Sequence, residues 1–102
     1  MIHATRYYLN MIVSFADKDT EKLARLQRVA KFAQIERVAL RKLIQLEVSE
    51  SLDDLRIPPG NRLEPLFGNR SGQHSIRMND QYRICFIWTN AGAERVEICD
   101  YH

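Results

Sequence analysis

The sequence contains few of the features that mark secreted or membrane proteins. Its two cysteines, Cys85 and Cys99, lie in apolar runs and are too few for a disulfide scaffold. No apolar run approaches the roughly 20 residues that a membrane span needs. The first ten residues also lack the apolar core of a signal peptide. These absences predict a cytoplasmic protein with free, buried thiols and no membrane contact.

The chain as a whole also has little excess of basic over acidic side chains. It has 15 basic and 13 acidic side chains, so its net charge of +2 does not by itself indicate a nucleic-acid partner. With 45% hydrophobic and 27% charged residues in 102 positions, the composition predicts one globular domain. The sequence has no phosphate-binding loop, CxxC pair, HExxH motif or nucleophile elbow. Its three histidines stand apart, so neither a metal site nor a cofactor is expected.

The charges are nevertheless distributed unevenly along the chain. Between positions 18 and 42, eight basic side chains accompany three acidic ones, a balance of +5. Positions 43–54 hold four acidic side chains and no basic one. The basic block is consistent with a solvated helix face and also with a surface for nucleic-acid phosphates. Its candidate phosphate contacts are Lys18, Lys22, Arg25, Arg28, Lys31, Arg37 and Arg41.

Hydrophobic periodicity predicts helices in the first half of the chain and strands in the second. A short strand at 12–15 is followed by a helix from Lys18 to about Val29, which Asp17 or Asp19 caps. A second helix runs from Ile35 to about Val48. Further strands are predicted at 62–67, 74–78, 82–88 and 95–101. The fold class is therefore α+β, with two N-terminal helices packed on one face of a small antiparallel sheet.

Alternation along the strands assigns the side chains to two faces of this sheet. The even-numbered residues from Tyr82 to Trp88 form the core face, against the helices. If Phe86 lies opposite Ile98, then Arg83 lies opposite Tyr101 on the other, open face. The open face would then gather Arg77, Arg83 and Tyr101, with His102 at its edge.

Several polar side chains in the second half of the chain match the needs of metal-free RNA cleavage. A base must take the proton of the 2′-hydroxyl, and a cation must neutralise the charge that grows on the phosphate. An acid must protonate the departing 5′-oxygen, and histidine, with a pKa near 6.5, suits that role. By spacing alone, the same residues also fit surface salt bridges. They are Glu64, Arg70, Arg77, Arg83, Tyr101 and the terminal His102.

Short motifs over nearly the whole chain resemble the HigB toxins of the RelE superfamily. The motifs are Met11-Ile12-x-Ser14-Phe15, Arg62-Leu63-x-Pro65-Leu66-x-Gly68, Gly72-x-x-Ser75-Ile76-Arg77, Tyr82-Arg83-Ile84-x-Phe86 and the terminal Asp100-Tyr101-His102. The resemblance implies the RelE-like, microbial ribonuclease-like toxin fold over residues 11–102. Residues 1–10 are expected to be an N-terminal extension, with either Met1 or Met11 as the start.

The resemblance also implies a function and partners. These toxins belong to type II toxin–antitoxin modules and cleave messenger RNA in the ribosomal A site. The implied partners are the ribosome with its RNA, the messenger RNA, and a HigA-type helix-turn-helix antitoxin. The toxin would bind operator DNA only through this antitoxin. The basic block would then dock ribosomal RNA.

Roles for single residues follow from the same resemblance. Glu64 stands where many HigB proteins have a catalytic histidine, and Phe67 stands where they have a lysine. The related YoeB toxins, however, have Glu-Pro-Leu at this point, with a catalytic glutamate. The resemblance thus implies Glu64 as the base, Arg83 with help from Arg77 as the phosphate clamp, His102 as the acid, Tyr101 as an RNA contact and Asp100 as an orienting residue.

Two other hypotheses remain open on the sequence. One is a toxin-fold binding module with little or no catalysis that acts mainly as a partner or co-repressor of its antitoxin, and the changes at Glu64 and Phe67 motivate it. The other is a basic RNA- or DNA-binding protein unrelated to toxins.

Overall fold

A computed structural model describes residues 12–100, and within that range the regular structure comprises two α-helices and one four-stranded sheet, joined by short 3-10 turns. The predicted N-terminal extension, Tyr101 and His102 lie outside the described residues. The strands pair antiparallel in chain order. No helix within 12–100 has the length and apolarity to cross a membrane. The elements are α1 (Lys18–Ala24), α2 (Glu36–Val48), β1 (Glu64–Pro65), β2 (His74–Arg77), β3 (Tyr82–Thr89) and β4 (Gly92–Asp100).

Helix α1 begins as predicted and ends earlier than predicted. Asp17 is the N-cap, and its carboxylate accepts a hydrogen bond from the Thr20 amide at 3.1 Å. The helix was expected to reach about Val29, but Leu26 has a left-handed backbone with φ of 67°. The amides of Leu26 and Gln27 turn back onto the carbonyls of Leu23 and Lys22, both at 2.9 Å. This is a Schellman ending, which stops the helix at Ala24 although apolar spacing continues beyond it.

Helix α2 confirms the second predicted helix and contributes one stripe to the core. Ala39, Leu43 and Leu46 are fully buried, as their spacing on one helix face predicts. The polar flank of the helix is fixed by buried Asn61, whose amide donates to the Gln45 side chain at 3.1 Å and accepts from Lys42. A chain of short 3-10 turns follows, at Leu52–Arg56 and Pro59–Asn61.

The sheet has a core face and an open face, as alternation predicted. Ile84, Phe86, Val96 and Ile98 pack with the buried residues of both helices in one hydrophobic cluster. The opposite face carries a small separate cluster of Leu66, Cys85 and Cys99. The predicted α+β architecture, with helices on one side of the sheet, is therefore confirmed.

The predicted register between β3 and β4 is wrong by two residues. Ile84 lies opposite Ile98, and Arg83 lies opposite Cys99 rather than Tyr101. Further along, Ile87 pairs with Glu94, so β4 holds one extra residue in a bulge where Arg95 takes a positive φ of 51°. From Val96 onward the shift is two residues, so these side chains stay on their predicted faces although the pairing differs. The bulge interrupts this alternation, and Glu94 rather than Arg95 lies opposite Ile87.

Both outer edges of the sheet are less regular than predicted. The strand expected at 62–67 shrinks to Glu64–Pro65, because Arg62 adopts a left-handed conformation with φ of 47°. At the other edge, the strand expected at 12–15 makes two isolated parallel bridges to β4, at Ile12 and Phe15. Pro65 suits its edge position since it has no amide hydrogen to donate to a ladder.

Candidate active site on the open face of the sheet

Arg83 lies at the centre of the open face and is almost entirely buried, with 6% of its surface exposed. Its Nε donates to the Ser75 hydroxyl at 2.6 Å, across the β2–β3 pair. One terminal nitrogen, Nη2, donates to the carbonyl of Arg62 at 2.8 Å. A buried guanidinium needs such partners because an unpaired buried charge is costly. The strand pairing and the left-handed turn at Arg62 therefore fix the position of this cation.

Glu64 is the acidic partner of Arg83. It lies opposite Ser75 in the β1–β2 register, and its carboxylate is 3.7 Å from Arg83 Nη2. The carboxylate is 46% exposed, whereas the Arg83 side chain is 8% exposed. The pair therefore presents an accessible anion above a fixed cation, the arrangement that a proton acceptor beside a bound phosphate requires.

Arg70 joins the open face from the loop after β1. Its Nη1 donates to Gln73 at 3.0 Å and to Glu97 on β4 at 3.2 Å. The Arg70 side chain keeps 36% of its surface exposed. Arg70, a predicted phosphate contact, thus lies on the same face of the sheet as Arg83.

The two thiols lie on this face beneath Leu66, and both are free and buried, as expected. The Cys99 Sγ donates to the Glu97 carbonyl at 3.8 Å. Its interaction with the neighbouring Cys85 lowers the pKa of the Cys85 thiol and raises the pKa of the Cys99 thiol.

Arg77 lies directly opposite Arg83 in the β2–β3 register. Its guanidinium forms an ion pair with Asp80 in the turn that joins the two strands. The Arg77 side chain is one-third exposed. It is held beside the site and does not contact Glu64, so its predicted help to Arg83 is long-range.

The C-terminal group is described only as far as Asp100. This residue ends β4 opposite Tyr82, and its carboxylate is exposed and accepts from Gln81 at 3.1 Å. It therefore lies on the core side of the sheet, as alternation predicted. Tyr101 and His102 lie outside the described residues, so their approach to Glu64 stays a prediction.

The sequence did not predict which groups hold the Arg83 side chain in place. Alternation does place Ser75 on the open face, but its hydroxyl was not identified as the partner of Arg83. The hydrogen bond from Arg83 to the Arg62 carbonyl could not be predicted, because a backbone acceptor does not depend on the side-chain pattern. The one available clue was the serine itself, a small polar residue at a position that the sheet buries.

The seven predicted basic contacts of the helical half are all exposed. Two of them form ion pairs, Arg25 with Glu21 and Lys31 with Asp19, both at 3.1 Å. Within residues 12–100, the other five take part in no ion pair. These five are Lys18, Lys22, Arg28, Arg37 and Arg41.

No cluster of metal ligands accompanies the Glu64–Arg83 pair in the described part of the chain. Residues 12–100 contain no group of three potential metal ligands. A groove of about 700 Å³ lies elsewhere, between the segment from Ile12 to Phe15 and the helices. Glu47 lines that groove, and partial burial raises the pKa of its carboxyl.

Comparison with known families decides what kind of protein carries this site. A family model described as the RelE-like toxin of the type II toxin–antitoxin system HigB matches residues 13–102. The chain belongs to this family. The predicted family resemblance is therefore confirmed, and the hypothesis of a basic nucleic-acid binder unrelated to toxins is excluded.

Individual relatives agree with this HigB-like assignment. Toxin HigB-1 of Vibrio cholerae is 49% identical over 61 residues, which cover 60% of this chain and 64% of that protein. An uncharacterized protein of Haemophilus influenzae is 43% identical over 54 residues, which cover 53% of this chain and 54% of its own length. The chain thus spans between about half and two-thirds of the curated relatives that it matches.

A solved structure supports the fold of the HigB-like chain. The YoeB–YefM complex from Staphylococcus aureus superposes with a TM-score of 0.53 at 20% identity. The match covers 89% of this chain and 94% of the other. At this identity the likeness establishes the RelE-like fold and not the chemistry.

Proposed function

We propose that this HigB-like chain is a ribosome-dependent endoribonuclease that cleaves messenger RNA in the A site. The observation that carries the proposal is the Glu64–Arg83 pair, an accessible carboxylate 3.7 Å from a fixed guanidinium on the open face. A surface salt bridge between two mobile side chains would not bury its cation or fix it with a hydroxyl and a carbonyl.

The proposed chemistry is an in-line displacement at phosphorus. Glu64 takes the proton of the 2′-hydroxyl, whose oxygen bonds to the adjacent phosphorus as the bond to the 5′-oxygen breaks. Arg83 offsets the negative charge that grows on the phosphate, and Arg77 and Arg70 add longer-range positive charge. His102 gives a proton to the departing 5′-oxygen, so the products are a cyclic phosphate and a free 5′-hydroxyl. Tyr101 would contact the RNA, and Asp100 would orient its neighbours.

The partners follow from the same proposal. The five exposed cations of the basic block that form no ion pair within residues 12–100 would bind the phosphates of ribosomal RNA, because the release of counterions favours association. A HigA-type helix-turn-helix antitoxin would neutralise the toxin and connect it to operator DNA. Action on translating ribosomes would place the protein in the cytoplasm.

The variant Glu64→Gln tests the proposed base. Its amide cannot accept the proton, so we expect the cleavage rate on ribosome-bound message to fall by at least about 100-fold. The side chain is half-exposed and its contact with Arg83 is long, so folding should be retained. The measurement is single-turnover cleavage of a defined message on purified ribosomes, with cut sites mapped by primer extension.

One control and one further variant make this test specific. The control, Glu94→Gln, removes a carboxylate elsewhere on the sheet and should cleave at the wild-type rate. Deletion of His102 should also slow cleavage strongly, because the leaving oxygen would lose its acid. Cuts of wild-type intensity in Glu64→Gln would contradict the assignment of the base.

A second candidate is a weakly or non-catalytic binding module that acts through its antitoxin. The glutamate at position 64 and the phenylalanine at position 67, in place of the family's histidine and lysine, favour it. In that case growth arrest or promoter repression would persist in Glu64→Gln, and the wild-type protein would leave no mapped cuts.

A further inference from the structure

Phe67 is an aromatic side chain that the protein leaves in water. Its exposed fraction is 80%, the highest of the large hydrophobic residues that stand exposed within 12–100. Burial of a phenylalanine ring stabilises a folded protein, and the exposed Phe67 ring does not contribute that stabilisation.

The loop that carries Phe67 also carries parts of the candidate site. Phe67 follows Glu64 by three residues, so their Cα atoms lie within about 11 Å of each other. Leu66, next to it, is buried against the thiols of the open face. Arg70, three residues later, reaches Glu97 on that face at 3.2 Å. Phe67 therefore belongs to the loop that borders the open face, close in the chain to the Glu64–Arg83 pair.

The backbone on both sides of Phe67 is fixed by hydrogen bonds. The Leu66 amide donates to the Gln73 carbonyl at 2.8 Å, and the Arg70 amide donates to the Phe67 carbonyl at 3.2 Å. Gly68 supplies the positive φ of 65° that turns the chain directly after the ring. A ring held in this way is presented to solvent with little remaining backbone freedom to lose on binding.

The surroundings of the ring favour RNA over a protein partner. The segment that follows it, from Gly68 to Gly72, has no apolar side chain, so no contiguous apolar patch extends along the loop from the ring. Exposed Arg62 and partly exposed Arg70 flank the ring in the chain. An aromatic platform between cations is the combination that binds single-stranded nucleic acid, where bases stack on rings and phosphates pair with arginines.

We propose that Phe67 stacks on a base of single-stranded RNA next to the phosphate that the Glu64–Arg83 pair receives. This inference rests on the proposed function and adds a positioning residue to it. The stacked base would orient the neighbouring 2′-hydroxyl toward Glu64.

A fluorescent variant tests stacking directly. Trp88 is the sole tryptophan, so Phe67→Trp in a Trp88→Phe, Glu64→Gln background carries one indole and should cut its ligand at least about 100-fold more slowly than the wild type. We expect a short single-stranded RNA to quench this indole. By the anisotropy of a labelled RNA, it should also bind roughly tenfold more tightly than it binds Phe67→Ala in the same background, which has no indole. An abasic oligonucleotide of equal length and charge should not quench. No quenching by the base-bearing RNA would overturn the proposal.

Cleavage assays separate this proposal from the proposed function. Phe67→Ala and Phe67→Leu should each cut ribosome-bound message roughly tenfold more slowly, whereas Phe67→Tyr should restore the rate. Val48→Ala removes an exposed apolar side chain from α2 and should leave the rate unchanged. If the wild type makes no cuts but RNA quenches the indole, endonuclease function fails and stacking stands. If the wild type cuts while Phe67→Ala and Phe67→Leu cut equally fast, stacking is overturned and cleavage stands.

Discussion

Arg83 is the one charged residue that the described part of the chain buries. Its hydrogen bonds to Ser75 and to the Arg62 carbonyl connect β3 to β2 and to the turn before β1. The same contacts that position the cation for chemistry therefore also hold the open face together. A lysine could not replace it, because an ammonium lacks the planar fork that reaches a hydroxyl and a carbonyl at once.

Loss of Arg83 should accordingly weaken the fold as well as the activity. We expect Arg83→Ala to lower the free energy of unfolding by about 3 kcal/mol, because the buried hydroxyl and carbonyl lose their donor. Urea denaturation followed by circular dichroism measures this loss. Arg77→Ala, which removes a partly exposed ion pair directly opposite Arg83 in the register, should lower the free energy of unfolding by under about 1 kcal/mol. Equal stabilities for Arg83→Ala and wild type would show that Arg83 has no structural role.

The end of helix α1 departs from the usual preference for glycine at the left-handed position after a helix. Leu26 occupies the left-handed position that follows the helix, where glycine is the usual residue, and its side chain is 77% exposed. Apolar spacing through Leu23 and Leu26 predicted a longer helix. The pattern misled because Leu26 faces solvent, and the chain instead turns into the 3-10 segment Ala30–Ile35 that buries Phe32.

This position offers a stabilising substitution. Leu26→Gly should raise the free energy of unfolding by about 1 kcal/mol, because glycine adopts a positive φ without the steric cost that a β-carbon adds. For a domain of this size the melting temperature should rise by roughly 4–8 °C. Leu26→Ala keeps the β-carbon and should show little change, and an equal rise in both variants would refute the backbone explanation.

At the scale of the whole molecule, two basic surfaces lie on different layers. The basic block belongs to the helical layer, and the arginines of the candidate site belong to the open face of the sheet. In the proposed function the first would dock ribosomal RNA while the second would hold the message. The net charge of +2 conceals both, since acidic residues after position 42 offset the basic block.

Salt dependence tests the docking role of the helical layer. Arg37 and Arg41 are exposed, form no ion pair within 12–100 and lie one turn apart on α2. We expect Arg37→Gln/Arg41→Gln to weaken ribosome binding and to reduce the slope of log affinity against log salt concentration by about 1–2. Sedimentation with ribosomes at several salt concentrations gives this slope. Arg56→Gln removes an exposed arginine that pairs with Asp53 outside the block, and an equal effect there would refute a specific surface.

The sequence by itself determined the α+β class, the two faces of the sheet, the core stripe of α2 and the family. Periodicity carries these features because each side chain's face depends on the backbone repeat alone. The tertiary structure decided the register of β3 and β4, the early end of α1 and the burial of Arg83 by Ser75 and Arg62. These three features depend on a bulge at Arg95 and on left-handed turns at Leu26 and Arg62. At each of these positions a residue other than glycine has a positive φ, which side chains with a β-carbon disfavour. Contacts between distant segments impose such conformations, and local pattern does not encode them.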